Sequence, residues 1–283
     1  VILFKNSCES DDVIYSNDTQ FCVFGQMSSS KVDFLLVGDS HAMHAQPLLY
    51  KISNRFGKKG IYGGQDGCPP LLGIYSLRGN PHPNPESKLC YDINQDGYEF
   101  VKANGIKTVL LIARWDYYVD GANKGQLNNI SDESLQFGDI SQTREVYKEA
   151  VKRTFEAFRT LGVKVVVVLQ VPHQNINIKR FIEELISVKN LEKLKRKLID
   201  ANFLGVKREE HMQRQKIASY LWRELAITHN KNELTLIDPT DDFCGVDRCN
   251  FIVDDFAAYT DFDHPSEQGY DRLETKFVKA LGL

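Results

Sequence analysis

A serine hydroxyl becomes a useful nucleophile when a base removes its proton and donors stabilise the oxyanion that follows. Such a set sits at the two ends of this chain: Gly38-Asp39-Ser40-His41 early, and Asp261-Phe262-Asp263-His264-Pro265-Ser266 late. Ser40 is the expected nucleophile. His264 is the expected base, taking the Ser40 proton and returning it to a leaving alcohol, and Asp261 holds the imidazole tautomer. Asp263 competes for that last role, but adjacent side chains in an extended loop diverge, so the three-residue spacing favours Asp261. Two plainer readings stand beside these: Ser40 as a helix cap, and His264 as one loop histidine among seven.

Both motifs need elements that bring them together. Asp33–Val37 (DFLLV) is a short apolar run of the buried parallel type, and it leads directly into Gly38-Asp39-Ser40. Ala42–Phe56 then has helical spacing up to Gly57, so Ser40 lies on a strand-to-helix turn, where a doubly wound sheet opens its ligand crevice. Gly38 permits a tight turn there. Further strands are expected at Gly60–Gly63, Thr108–Ala113, Val163–Leu169 and Leu234–Ile237. Helices are expected near Val101–Gly105, over Thr143–Leu161, as a pair within the charged stretch 179–229, and from the Ser266 cap to about Leu281. Gly64–Asn94 is expected as a long Gly/Pro-rich loop. Strands alternating with crossover helices predict an α/β fold: three layers, αβα, around a parallel, doubly wound, flavodoxin-like sheet.

With 35 Lys+Arg against 38 Asp+Glu, the net charge of -3 gives no reason to expect a nucleic-acid partner. No apolar run is long enough to cross a bilayer, and the opening VILFKNSCES is not a secretory signal. The expectation is therefore a piece of a longer polypeptide or a chain whose export signal has been removed. The six cysteines fall in three neighbouring pairs, Cys8 with Cys22, Cys68 with Cys90 and Cys244 with Cys249. Six cysteines allow 15 pairings; the short loops favour the sequential one. No CxxC knuckle supports zinc, and neither a metal nor an organic cofactor is expected. Disulfides point to the periplasm or the cell exterior.

The Gly-Asp-Ser and Asp-x-x-His blocks resemble the first and last sequence blocks of the SGNH, or GDSL, hydrolase superfamily, across nearly the whole chain. Gly67-Cys68-Pro69-Pro70-Leu71, Ala113-Arg114-Trp115 and the final His264-Pro265-Ser266 are similar, more narrowly, to the periplasmic SGNH domain fused behind bacterial acyltransferase-3 membrane domains. That resemblance implies O-acetylation of a surface glycan such as the O-antigen of lipopolysaccharide, with the acetyl donor delivered by the membrane domain. Residues 1–30 lack periodicity and read as a lead-in pinned by Cys8 and Cys22, 31–283 is then the SGNH domain, the charged stretch 179–229 reads as an extra helical cover, and the isolated domain is expected to be a monomer. One departure concerns the oxyanion hole. The superfamily's third block normally supplies an Asn where this chain reads Ala113-Arg114-Trp115, so the expected donors are the backbone N–H groups of Ser40 and Gly67 (or Gly64), with Arg114 as an extra donor. Arg114 and Trp115 could equally be a structural couple, and His41, His44 and His173 receive no role. Two rivals share these residues: a secreted carbohydrate esterase, and a glycan-binding module without catalysis.

Overall fold

The computed structural model describes residues 12–17, 19–78, 80, 83–120, 129–132, 140–187, 196, 205–253 and 256–283. Seven strands build the central sheet: β1 Val13–Ser16, β2 Thr19–Gly25, β3 Phe34–Gly38, β4 Lys59–Gly64, β5 Thr108–Ile112, β6 Lys164–Val168 and β7 Leu234–Ile237. Their order is β1-β2-β4-β3-β5-β6-β7. The five strands from β4 to β7 run parallel, as the apolar runs predict. β1 and β2 add an antiparallel hairpin on the β4 side, so the stretch expected as a lead-in forms one edge of the sheet. Its sequence TQFCVFG is almost entirely buried rather than alternating, which hides the strand period from a pattern search.

Alternate residues of each parallel strand feed two cores. Leu35, Val37, Val109, Leu111, Val165 and Val167 face one side, covered by α2 (Pro85–Asn104), α4 (Ile140–Thr160) and α6 (Arg208–Thr228). Phe34, Leu36, Leu110, Ile112, Val166 and Val168 face the other, covered by α1 (Ser40–Phe56), α7 (Glu267–Asp271) and α8 (Glu274–Leu281). Two further helices, α3 (Trp115–Asp120) and α5 (Ile178–Ile186), follow the exits of β5 and β6. No helix among the described residues is long and apolar enough to cross a membrane.

Two helices differ from the sequence reading. The last third of the expected 64–94 loop is helix: Asn84 caps α2 by accepting from Ser87 N–H, and Pro85 occupies the first helical position. The buried face of α2 includes Ser87, Asn94 and Gly97, so its apolar period is faint. The last helix begins at the Ser266 cap but breaks at Arg272–Leu273 into α7 and α8. The Cys68–Cys90 and Cys244–Cys249 disulfides are both present. Cys22 is also disulfide-bonded; its expected partner Cys8 lies outside the described residues.

Order reverses at β3, whose neighbours β4 and β5 follow it in sequence on opposite sides, so the switch-point crevice opens at its carboxyl end. The backbones approach closely there. A Cβ on Gly38 would lie 1.8 Å from the Ile112 carbonyl oxygen and 2.7 Å from the Ala42 Cβ. Gly38→Ala should therefore cost about 2–3 kcal/mol through overpacking, read as a lowered urea midpoint at unchanged slope. A wild-type midpoint would show that this approach does not constrain the turn.

Candidate active site

Asp39 follows Gly38 and caps α1. Its Oδ1 accepts from His41 N–H at 2.9 Å, and its Oδ2 accepts from Arg114 N–H at 2.9 Å and from the Tyr118 hydroxyl at 2.7 Å. Burial raises the pKa of this carboxyl, while the three donors act against the rise. With Asp39 as the cap, Ser40 is the first helical residue and its hydroxyl is available for other partners.

Ser40 Oγ lies 2.7 Å from Nε2 of His264, a residue 224 positions away in the chain. The opposite ring nitrogen, Nδ1, lies 2.7 Å from Asp261 Oδ2. Asp261 Oδ1 accepts the backbone N–H groups of Asp263 and His264, each at 2.9 Å. Burial alone would raise the Asp261 pKa, but these amides and the His264 ring hold it well below the usual carboxylate range. An ionised carboxylate cannot donate, so the Nδ1 proton belongs to His264 and Nε2 is left to accept from Ser40. That is the tautomer a general base requires.

His41 and His44, one turn apart on α1, both stack on His264, with centroid separations of 5.0 and 4.8 Å. His41 Nε2 is 3.1 Å from the Asp263 carbonyl and His44 Nδ1 is 3.2 Å from the Pro265 carbonyl. Carbonyls only accept, so each of these nitrogens carries a proton. Burial, reinforced by the charge of His264, lowers the pKa of both rings and keeps them neutral.

The sequence-predicted Ser40, Asp261 and His264 thus meet at hydrogen-bond distance, and the competitor Asp263 sits farther off, its Oδ1 3.4 Å from His264 Nδ1. Asp263 Oδ2 instead meets Arg114 Nη1 at 2.8 Å. Arg114 also reaches His173 Nδ1 at 3.2 Å and lies over the rings of Tyr117 and Phe262. Its guanidinium thereby faces Asp263 and His173, and its Nε lies 3.7 Å from Asp116 Oδ1. Trp115 is a core residue, donating from Nε1 to the Val168 carbonyl at 2.7 Å and packing edge-on against Trp222. Gly67 lies on the loop after β4 with φ 66°, and its carbonyl accepts from the Ser76 hydroxyl. Asp261, Asp263 and His264 offer a group of metal-ligand atoms, but both ring nitrogens of His264 already face Asp261 and Ser40.

Two residues of the site had no role in the sequence reading. Asp39 carried a signal, since an acidic residue directly before a helix is a cap candidate. Tyr118 carried none; only the packing of α3 brings its hydroxyl to Asp39.

The fold and site define a class, the SGNH α/β architecture, whose chemistry is acyl transfer or ester hydrolysis. More narrowly, the chain belongs to the family of SGNH domains fused to AT3 domains, whose model matches residues 7–279. Among solved structures it is similar to the periplasmic domain of the lipopolysaccharide acetyltransferase of Salmonella ser. Paratyphi A, with 17% identity, 90% of this chain and 85% of that chain covered, and a TM-score of 0.55. It is also similar to a GDSL-like lipase of Bacteroides thetaiotaomicron, with 10% identity, 88% and 87% covered and a TM-score of 0.45. An acetylxylan esterase of Geobacillus stearothermophilus gives 12% identity, 91% and 97% covered and a TM-score of 0.44. Comparison with curated proteins finds no match.

His173, beside Arg114, gives a pH test. Burial, then the charges of Arg114 and Arg214, bring His173 down to about 4, against roughly 6.5 in an unfolded chain. Between those values the unfolded state binds more protons, so stability present above about pH 6.5 is lost as pH falls toward 4. His173→Gln should flatten that slope in urea unfolding followed across the window. A slope equal to the wild-type one would rule out a buried neutral His173.

Proposed function

We propose that this chain is the acyl-transferring domain of a bacterial surface-glycan O-acetyltransferase, acting on the periplasmic face of the inner membrane. The observation that carries the reading is the continuous relay from Ser40 Oγ through His264 to Asp261, 2.7 Å at each step, in a chain of the AT3-fused SGNH family. His264 takes the Ser40 proton as the hydroxyl attacks an acetyl carbonyl, and returns it to the leaving group as the acetyl-Ser40 ester forms. A sugar hydroxyl then gives its proton to His264 and attacks that ester; the bond to Ser40 Oγ breaks, His264 returns the proton to Oγ, and the sugar leaves with the acetyl group. Asp261 stays ionised throughout and stabilises the imidazolium. With the Arg114 guanidinium held by Asp263 and His173, the developing oxyanion is assigned to the backbone N–H groups of Ser40 and Gly67.

The same reading makes the residues ahead of β1 the connection from a preceding membrane domain, which supplies the acetyl donor, and the chain from β1 onward the acyl-transfer domain, since β1 and β2 are part of its sheet. Of the stretch 179–229, the described helices α5 and α6 would serve as an outer cover; most of the residues between them lie outside the described ones. The lipopolysaccharide acetyltransferase resemblance favours an O-antigen acceptor. Water in place of the sugar would turn the identical relay into an esterase, so transfer has to be measured directly.

Purified wild-type protein should hydrolyse a chromogenic acetate ester. Ser40→Ala and His264→Ala should lower kcat by at least about 10³-fold, and Asp261→Ala by less. Activity surviving Ser40→Ala would overturn the mechanism. Expressed as part of the whole gene in a strain deleted for it, the wild-type domain should restore acetylated O-antigen and the Ser40→Ala form should not. Mass spectrometry of released glycan decides this, and unacetylated glycan with the wild-type gene would favour the esterase.

A further inference from the structure

The ring of His264 faces two carboxylates, and they are built differently. Asp261 Oδ2 bonds Nδ1 at 2.7 Å, and two backbone N–H groups neutralise its other oxygen. Asp263 is buried, with Oδ1 3.4 Å from the same nitrogen, and among the described residues no hydrogen bond from a backbone N–H reaches either of its oxygens. Burial raises the Asp263 carboxyl to about 6, with Arg114 acting against the rise, and a second ionised carboxylate at this nitrogen, left without a cation, would favour the imidazolium over the neutral base. The cation against Asp263 is Arg114, 2.8 Å away and two-thirds or more buried at its own side chain.

We propose that Arg114 and Asp263 are positioning residues that together set the basicity of His264: Asp263 ties the His264 loop to the exit of β5, and Arg114 cancels the charge this brings beside the imidazole. The pair does so at the position where Ala113-Arg114-Trp115 stands in the third sequence block, which assigns that block a function in the relay. Other charged or titratable groups around His264 do not substitute for Arg114. From α1, His41 and His44 are neutral rings stacked on it. From the β3 end, Asp39 is occupied by Arg114 N–H, His41 N–H and Tyr118. From the β6 exit, His173 meets Arg114 and stacks on Phe262. Asp66, on the loop after β4, acts on His44.

This inference rests on His264 being the base of the proposed relay, but its test does not need turnover. The imidazole titration is followed by nitrogen NMR on histidine-labelled protein, with the His264 signals assigned by their loss in His264→Gln. Asp263→Asn removes the carboxylate and leaves the guanidinium, so the His264 midpoint should fall by about one pH unit or more. Adding Arg114→Met to Asp263→Asn removes the cation, and the midpoint should return most of the way to the wild-type value. The acid limb of kcat/KM for acetate-ester hydrolysis should follow the same order. The proposal is overturned if Asp263→Asn leaves the midpoint in place, or if the second replacement does not bring it back, even where activity or Tm falls. Should Asp263→Asn not fold, Arg114→Met alone decides: the first proton taken up by the His264–Asp263 pair, followed on ring nitrogen and carboxyl carbon, must bind at higher pH than in the wild type. Loss of Ser40-dependent turnover would sink the acyl-transfer reading while leaving these titrations interpretable.

Discussion

A buried carboxylate is stable only where donors surround it, and Asp39 collects them from three separate elements. His41 N–H belongs to the first turn of α1, Arg114 N–H to the exit of β5, and the Tyr118 hydroxyl to α3. Each bond costs a neighbouring element some freedom, and together they fix the two strand ends that border the switch-point crevice. Because Asp39 supplies the cap of α1, the serine beside it does not have to. The nucleophile is thus separated from the structural task that serines at helix starts usually perform.

The surroundings of His264 follow from the same arrangement. α1 begins immediately after Asp39, so its residues at one-turn spacing, Ser40 and His44, share a face with His41 close by. That places a hydroxyl at Nε2 and two neutral rings against the imidazole plane. Neutral rings exclude water without adding charge, so the ionic environment of His264 is left to the loop that carries it and to Arg114. Nothing in this relay distinguishes a sugar hydroxyl from water, since both would approach the same acetyl-Ser40 ester. The choice of acceptor must lie in the surface above Ser40 and in how the donor arrives.

The parallel strands were legible because both of their faces are buried, which makes runs such as KVVVV unmistakable. The serine and histidine blocks were legible for a different reason: their spacing to strand and helix signals matches the chemistry they would do. Elements failed to show where burial is carried by small or polar residues, as with Ser87, Asn94 and Gly97 on α2, or where a short strand lacks alternation, as in β2. Asp261 and Asp263 were separable by spacing alone, but the physical difference between them is one of amide donors, which no spacing reveals. Arg114 was noticed for what it replaces. Its partners come from the β3 end, the His264 loop and the β6 exit, and only the folded sheet makes them neighbours.

Arg114 also accounts for how a site split between the two ends of the chain holds together. Its backbone N–H binds Asp39, next to Ser40, and its guanidinium binds Asp263, next to His264. One residue at the end of β5 therefore touches the chain neighbour of each half of the relay, through groups that cannot be exchanged: the amide is fixed by the strand, and the side chain reaches outward from it. The Ser40–His264 contact closes a separation of 224 residues, and a direct hydrogen bond alone would offset little of the entropy of that closure. A bridge anchored in the central strands ties the geometry of the relay to the stability of the sheet itself. An arginine can make both contacts where an asparagine, with its short neutral side chain, could serve an oxyanion but could not balance a buried aspartate.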